Sequence, residues 1–361
     1  MVIILPFIIG VLWLVINVQF LRRMTIQSHS NPSISVLIPL RDEATNVQCL
    51  MKNLHNIDYE QAEFLFYDDQ STDGTAALLQ ENQSLDTRFR LLYGDALPSD
   101  WHGKPHACQR LAEQAKGDIL VWIDADVTLH PKALLATATM FERPIDALSG
   151  FPRFEMRNWL EKLLTPLLHF FVHAHLPIYL ANRQCMPAAT AASGAFIAVR
   201  RDAYFEIGGH TAVKNEVVED VALFRMLKKS GKRAMLYNIT DFVSCAMYAT
   251  VRDTWHGFQK NCFRGIQHSY VLGCLLILFY SMYFVMPGVL FIIGLSTQHL
   301  LYTLPFICIT AMRLVSDYVA KQLSIFSLLM PISACAYCVL LGTTMIQTVR
   351  KKSMYWKGRK L

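Results

Sequence analysis

The sequence predicts an α/β protein with a mostly parallel sheet, bracketed at both ends by helices that cross a membrane. Three observations predict it. Between residues 33 and 131, apolar runs of strand length alternate at short intervals with segments of helical spacing, the pattern of βαβ units. Two acidic clusters, Asp68-Asp69 and Asp124-x-Asp126, stand where two of those strands end, and ligands of such sheets sit beyond the carboxyl ends of strands. The 361 residues are 53% hydrophobic and only 17% charged, against about 25% charged in soluble domains. The apolar excess gathers at the two termini and leaves an ordinary α/β composition between them.

In chain order, Met1 to Leu21 carries no charge and Arg22-Arg23 follow at once. It lacks a basic leader and a clean cleavage site. The reading is an uncleaved transmembrane anchor over residues 1–23, amino terminus outside and the next domain inside. Ser33 to Pro39 reads as a buried strand that a proline ends, and Ala44 to Asn53 as a helix. Glu63 to Tyr67 is the second strand, followed by a helix from Thr75 to Gln80. Phe89 to Tyr93 is the third strand, Lys104 to Ala115 a helix, and Ile119 to Ile123 the fourth strand. Trp159 to Leu180 is nearly long enough to span, but holds Glu161, Lys162, three histidines and two prolines. A crossing there would put the acids before and after it on opposite sides of the membrane, so residues 158–182 are read as interfacial helices. His169, His173 and His175 lack the carboxylate or cysteine partners of a metal site.

Three apolar blocks follow, at about 270–296, 299–312 and 324–348, within a C-terminal membrane region 268–349. The first is one long span or two short ones broken near Pro287. The basic tail, residues 350–361, is expected on the cytoplasmic side. The nine cysteines show neither a disulfide framework nor zinc spacing. Cys335-x-x-Cys338 lies inside an apolar run, which favours buried small residues over a redox motif. The net charge of +6 lies largely in the tail, which suits anionic lipid headgroups rather than nucleic acid.

The stretch LVWIDADVTLHP, residues 120–131, carries the first chemistry. An apolar run ends in two carboxylates two residues apart. On a strand such residues share a side, and convergent carboxylates repel unless a cation lies between them. Hard oxygen ligands suit magnesium or manganese. The other reading is a strand-end turn, with Asp126 capping a helix that starts near Pro131.

The motifs taken together extend this. They are VLIPLRDEATNV (36–47), FYDDQSTDGT (66–75), WHGKPHACQRL (101–111), WIDADVTLHP (122–131), SGAFIAVRRDAYFEIGGH (193–210), EVVEDVALFRMLKKSGKR (216–233) and WKGR (356–359). Each is weak singly. In this order and spacing the chain resembles the family 2 glycosyltransferases with a GT-A domain. Within them it is similar to membrane-anchored bacterial members such as carotenoid glycosyltransferases and to ceramide glucosyltransferases. The resemblance covers roughly residues 33–265, plus the membrane segments and the last few residues.

That resemblance implies a cytosolic Rossmann-like GT-A domain over residues 33–265 and a UDP-sugar donor. It places Asp68 or Asp69 on the uracil or ribose, Lys104 on the diphosphate, Asp124 on ribose or metal-bound water, and Asp126 on a Mg2+ or Mn2+ ion. Arg41 and Asp42 depart from the commoner residues of the first loop. The resemblance makes Asp220 the base of an inverting displacement and Glu219 its orienting or acceptor-binding neighbour. Gly194 belongs to a small-residue loop that the sugar and acceptor could approach closely. Processive synthases of the family carry QxxRW after the base. Here Gln259 is followed by Lys260, Asn261, Cys262, Phe263 and Arg264, which points to transfer of one hexose. Trp255, Gln259 and Arg264 either cover the nucleotide or acceptor or form an amphipathic helix at a basic membrane surface. The implied activity is transfer of one sugar, glucose foremost, to a lipid such as a carotenoid or related polyprenoid. The rivals are a polysaccharide or polyprenyl-phosphate sugar synthase and an inactive membrane scaffold.

Overall fold

The computed structural model describes residues 4–27, 30–183, 186–216 and 218–350, and the backbone of 355–356 and 359–360. The chain divides into two compact units. A sheet unit comprises residues 21–153 and 176–245, and a helical unit comprises 1–20, 154–175 and 246–361.

The strands are β1 (Ile34–Leu40), β2 (Ala62–Asp68), β3 (Phe89–Tyr93), β4 (Ile119–Ile123), β5 (Val127–Leu129), β6 (Ala147–Ser149), β7 (Arg153–Phe154), β8 (Phe196–Arg200), β9 (Ala234–Leu236) and β10 (Val243–Cys245). Seven of them form one sheet in the order β3-β2-β1-β4-β8-β6-β9. β1 to β4 are parallel, and β8 runs antiparallel between β4 and β6. The sheet is therefore mixed and mostly parallel, as the alternating pattern predicts. β1 and β4 are buried along nearly their whole length, the near-continuous apolar run expected of strands covered on both faces.

Helices α2 (Ala44–His55), α3 (Thr75–Gln83), α4 (Gly103–Gln114) and α5 (Ala133–Phe141) join the first strands, and α8 (Ile178–Ala181), α9 (Arg201–Glu206) and α10 (Glu219–Lys229) follow later. On α2, Val47, Leu50, Met51 and Leu54 are buried at helical spacing, so one stripe faces the sheet. Leu37, Leu65, Trp122, Val199, Tyr204 and Phe224 belong to one core. The expected strands and first helices hold to within a few residues.

The helical unit contains α1 (Leu5–Val18), α6 (Trp159–Leu164), α7 (Pro166–His175), α11 (Val251–Cys262), α12 (Tyr270–Tyr280), α13 (Met286–Ser296), α14 (Leu304–Val319) and α15 (Met330–Val349). Among the described residues, three helical stretches are long and apolar enough to cross a membrane: Tyr270–Ser296, Leu300–Val319 and Met330–Val349. The first runs on through Pro287 as one helix with a π-helical stretch at Ser281–Val285. Val271 and Ile292 on it are 73% and 68% exposed, as side chains that face lipid would be. α1 has 14 residues, or about 21 Å at 1.5 Å per residue, shorter than the stretch its charge-free sequence suggested. Phe7, Leu14, Leu164, Phe170, Phe284 and Met330 share this unit's core.

α6 and α7 are packed into this unit with Glu161, His169 and His173 buried. Glu161 accepts from the amides of Arg157 and Tyr248. His173 bonds Ser316 at 2.9 Å and His175 bonds Tyr280 at 2.6 Å. Of the tail, Tyr355–Trp356 pairs antiparallel with Arg359–Lys360, while Lys351, Lys352 and Lys357 lie outside the described residues, as does Cys185.

Candidate active site

Because β1, β2 and β4 are parallel neighbours, their carboxyl ends share one edge of the sheet. Leu40, Asp68 and Ile123 end those strands. The loops that follow carry Arg41 to Glu43, Asp69 to Gly74 and Asp124 to Asp126.

The first two loops are laced together. The Arg41 guanidinium donates to the Asp69 carbonyl at 2.6 Å, and the Asp42 carboxylate accepts from the Thr72 amide at 2.7 Å. Asp73 accepts from the Ala44 amide at 2.9 Å and the Thr75 hydroxyl at 2.6 Å. Burial pushes the Asp73 carboxyl up, but the bonds from Thr75 and Ala44 outweigh it and hold the group below its usual range. Asp42 and Gln70 both adopt positive φ, 50° and 55°, a conformation costly for a residue with a side chain. Asp42, unexpected at its position in the resemblance, is thus part of the brace between loops.

Asp68 and Asp69 are 5% and 4% exposed. One Asp68 oxygen accepts from the Ser71 amide at 3.3 Å, and the other is buried without a partner. A buried carboxylate oxygen without a donor is costly, so this edge of the sheet suits a ligand that brings one.

Asp124 and Asp126 lie past the end of β4, in the turn to β5 that the Val127 amide closes on the Asp124 carbonyl at 3.2 Å. Strand alternation therefore does not orient them; the turn does. Helix α5 begins only at Ala133, with Lys132 at its cap, so Asp126 caps no helix. Burial, then the charges of Asp124 and Glu43, push the Asp126 carboxyl up to about 7. Glu43 went unnoticed in the sequence because nothing marks it off from other helix-entry acids.

Asp124 pairs with Lys104, Oδ1 to Nζ 2.7 Å, and the same ammonium lies 3.4 Å from Glu219. Burial disfavours the Lys104 charge, but Asp124 and Glu219 more than offset it and hold the ammonium well above its ordinary range. Lys104 is thus ion-paired with acids from two other segments, with its side chain 30% exposed. Glu219 faces the lysine.

Asp220 opens α10 beside Glu219. Its two carboxylate oxygens accept from the Gly194 amide at 2.7 Å and from its neighbour Val221 at 2.8 Å. Burial, then the Glu219 charge, push it up to about 7, with Lys104 pulling the other way. A Cβ on Gly194 would sit 2.9 Å from Lys104 Nζ, 3.6 Å from Asp220 and 3.9 Å from Asp124. That one glycine therefore locates Lys104, Asp124 and Asp220 at a single spot, and its amide fixes the acid. Lys228 on the same helix is buried and donates to the carbonyls of Ala181 and Ala189 at 2.6 and 2.8 Å. It ties down the segment that leads to Gly194, and nothing in the sequence announced it.

The sheet unit so brings together Asp68, Asp69, Lys104, Asp124, Asp126, Gly194, Glu219 and Asp220 on elements of one body. Trp255, Gln259 and Arg264 belong to the helical unit. Trp255 packs against that unit's apolar core, and Gln259 is 6% exposed with its amide nitrogen unpartnered. Among the described residues no three His, Cys, Asp or Glu side chains are grouped to hold a metal. A cation here would draw other ligands from a bound diphosphate or water.

The family model for glycosyl transferase family 2 matches residues 35–208. The chain is 24% identical over 242 residues to a 4,4'-diaponeurosporenoate glycosyltransferase of Staphylococcus haemolyticus, across 65% of this chain and 62% of that protein. It is 30% identical over 116 residues to a beta-monoglucosyldiacylglycerol synthase of a Nostoc species, across 32% of this chain and 24% of that protein. The chain thus spans under two thirds of the length of these relatives. Among solved structures, the mannosyltransferase PcManGT of Pyrobaculum calidifontis, in complex with GDP-Man and Mn2+, superposes with a TM-score of 0.56 at 16% identity, covering 94% of this chain and 95% of that one. At that identity the likeness speaks for the fold. The segment that matches glycosyl transferase family 2, residues 35–208, runs through the loops just described, and the chain has a GT-A fold.

Proposed function

We propose that the protein is an inverting hexosyltransferase that moves one sugar, glucose foremost, from a UDP-sugar to the hydroxyl or carboxyl of a lipid, with a carotenoid or related polyprenoid as the leading acceptor. The observation that carries this reading is Asp220. It is half-buried, gripped by two backbone amides and pushed up to about 7, in range for a general base at neutral pH. Direct displacement needs one such group. The acceptor oxygen bonds to the anomeric carbon, its proton passes to Asp220, and the bond to the diphosphate breaks with its electrons going to the diphosphate. An acceptor carboxylate would arrive ionised and need little help from that base.

On the donor side, the unpartnered oxygen of Asp68 is assigned to the nucleoside, with Asp69 beside it. Lys104 is assigned to the diphosphate, and Asp124 to the ribose or a metal-bound water. The donor set fits a divalent cation: burial and the charges of Asp124 and Glu43 push the Asp126 carboxyl up to about 7, and a cation relieves that repulsion. Asp126 would hold Mg2+ or Mn2+, which supplies positive charge to the leaving diphosphate. Glu219, 3.4 Å from the Lys104 ammonium, is assigned to orienting Asp220 or binding the acceptor.

The three long apolar helices support a multi-pass protein of the cell membrane, and Arg22-Arg23 support a cytoplasmic catalytic domain. The relatives named for carotenoid and diacylglycerol products support an acceptor drawn from the bilayer. Trp255, Gln259 and Arg264 are assigned to acceptor binding or closure.

The test incubates membranes carrying the protein with radiolabelled UDP-glucose, with and without manganese, and extracts the lipids. Label in a lipid band that requires metal and disappears in Asp126→Ala is the expected result, and its mass names the acceptor. Absence of label with folded protein, across a panel of nucleotide sugars and lipid extracts, would overturn the reading in favour of a scaffold.

A further inference from the structure

A cavity lies in the sheet unit, away from these acids. Arg22, Arg143, Arg183 and Arg233 line one cavity of about 440 Å3, together with Ile145, Asn182 and Tyr237 among others. Arg143 precedes β6 and Arg233 precedes β9, which are parallel neighbours. Since β6 and β4 are each antiparallel to β8, they run the same way. The cavity therefore opens at the amino ends of these strands, the edge opposite to Asp124.

The four arginines come from four separate stretches of chain, and each is exposed. Among the described residues none of them forms an ion pair with a carboxylate. Arg183 lies over the Tyr179 ring at 4.5 Å, and Arg233 donates to the Pro144 carbonyl at 3.2 Å. The nearest acid contact is Asp146, which accepts from the Arg233 amide rather than from its guanidinium. The backbone beneath is pinned. The Arg22 carbonyl accepts from Asn238 at 2.8 Å, and the Asn182 side chain exchanges two bonds with Leu236 at 3.0 and 2.7 Å. Four like charges held around one cavity repel each other, and a multivalent anion removes that repulsion. Guanidinium forks match phosphate oxygens in geometry.

We propose that this cavity is an anion site that takes a phosphate-bearing group, separate from the donor site. Arg22 follows the apolar helix α1 by four residues, a span of at most about 14 Å, which makes the headgroup of an anionic phospholipid one source and free phosphate the other.

The test uses the purified full-length protein in a neutral detergent. It is titrated with short-chain phosphatidylglycerol, with short-chain phosphatidylcholine, and with inorganic phosphate, and the thermal midpoint is followed. The variant is Arg143→Ala/Arg183→Ala/Arg233→Ala. The expected result is a rise in midpoint with an anionic probe and an apparent affinity at least tenfold weaker in the triple variant. Far-UV circular dichroism should be unchanged and the unliganded midpoint no lower than wild type, since three mutually repelling charges are gone. Response to phosphatidylglycerol alone identifies the headgroup, and an equal arginine-dependent response to phosphate identifies the soluble anion. Either supports the site. It is overturned if neither anion shifts the wild-type protein, if phosphatidylcholine acts as well as phosphatidylglycerol, or if the triple variant responds like wild type. Should the triple variant misfold, Arg143→Ala and Arg183→Ala are titrated singly, each expected to weaken binding severalfold, and unchanged affinity in both overturns the site.

Discussion

Each unit holds an ion-paired cluster, and the two are built differently. In the helical unit, Arg313 and Asp317 are 0% and 1% exposed and paired at 2.8 Å one helical turn apart. The Ser327 hydroxyl donates to the same Asp317 oxygen at 2.7 Å. In the sheet unit, Lys104 stands between Asp124 and Glu219, with all three side chains partly exposed and Asp220 close by. The first cluster has one charge of each sign. The second sets three or more acids against one base. A balanced, buried pair within one stretch of candidate span neutralises itself, so the fold loses most when only one partner is removed. An unbalanced, accessible cluster drawn from distant segments is kept for another purpose, because it costs the fold energy.

The sharpest break between them is expected from Asp220→Asn. The amide keeps the shape and removes the base, so transfer should fall by about 10²–10⁴-fold, with the thermal midpoint no lower than wild type. A loss of activity matched by loss of folding would erase the distinction between the clusters.

Arg313→Leu should do the reverse. Leaving Asp317 buried without its partner costs about 3–5 kcal/mol, read as a lower unfolding midpoint in detergent. Arg313→Leu/Asp317→Leu should recover most of that loss, since a buried pair and its apolar replacement are often close in stability. If the double variant is no better than the single one, the pair contributes something beyond mutual neutralisation.

The contrast also explains what the sequence could convey. The sheet was legible because β1, β2 and β4 bury mostly apolar runs, a signal local to each strand. The acids of the site were legible as motifs, and the three long helices as composition. What was not legible depends on chain segments far apart. The Gly194 amide meets Asp220 across 26 residues, and Lys104 meets Glu219 across 115. No spacing rule connects them. Asp124 and Asp126 were read as partners on a strand, but a turn decides where they point. The four arginines of the second cavity went unread for the same reason, since each looks like an ordinary surface charge in its own stretch.

The smallest effect is in the pH response, and it separates catalysis from stability within one residue. Asp220 is raised to about 7, by burial and then by Glu219. The base works when deprotonated, so kcat/KM should fall tenfold per pH unit below about 7 and level off above it. The folding sign is opposite. A carboxyl raised above its ordinary value of 3.8 is bound to its proton more tightly in the folded chain. It therefore adds stability at low pH and loses that contribution as pH rises from about 4 through 7. Asp220→Asn lacks this term, so its thermal midpoint should gain on wild type across that window. The neighbours supply two further tests with opposite signs. Glu219→Gln removes a repelling charge and should shift the acid limb of the rate profile to lower pH. Lys104→Gln removes an attracting one and should shift whatever activity remains to higher pH. If both variants moved the limb the same way, the limb would belong to a group other than Asp220, and the base would have to be sought elsewhere in the cluster.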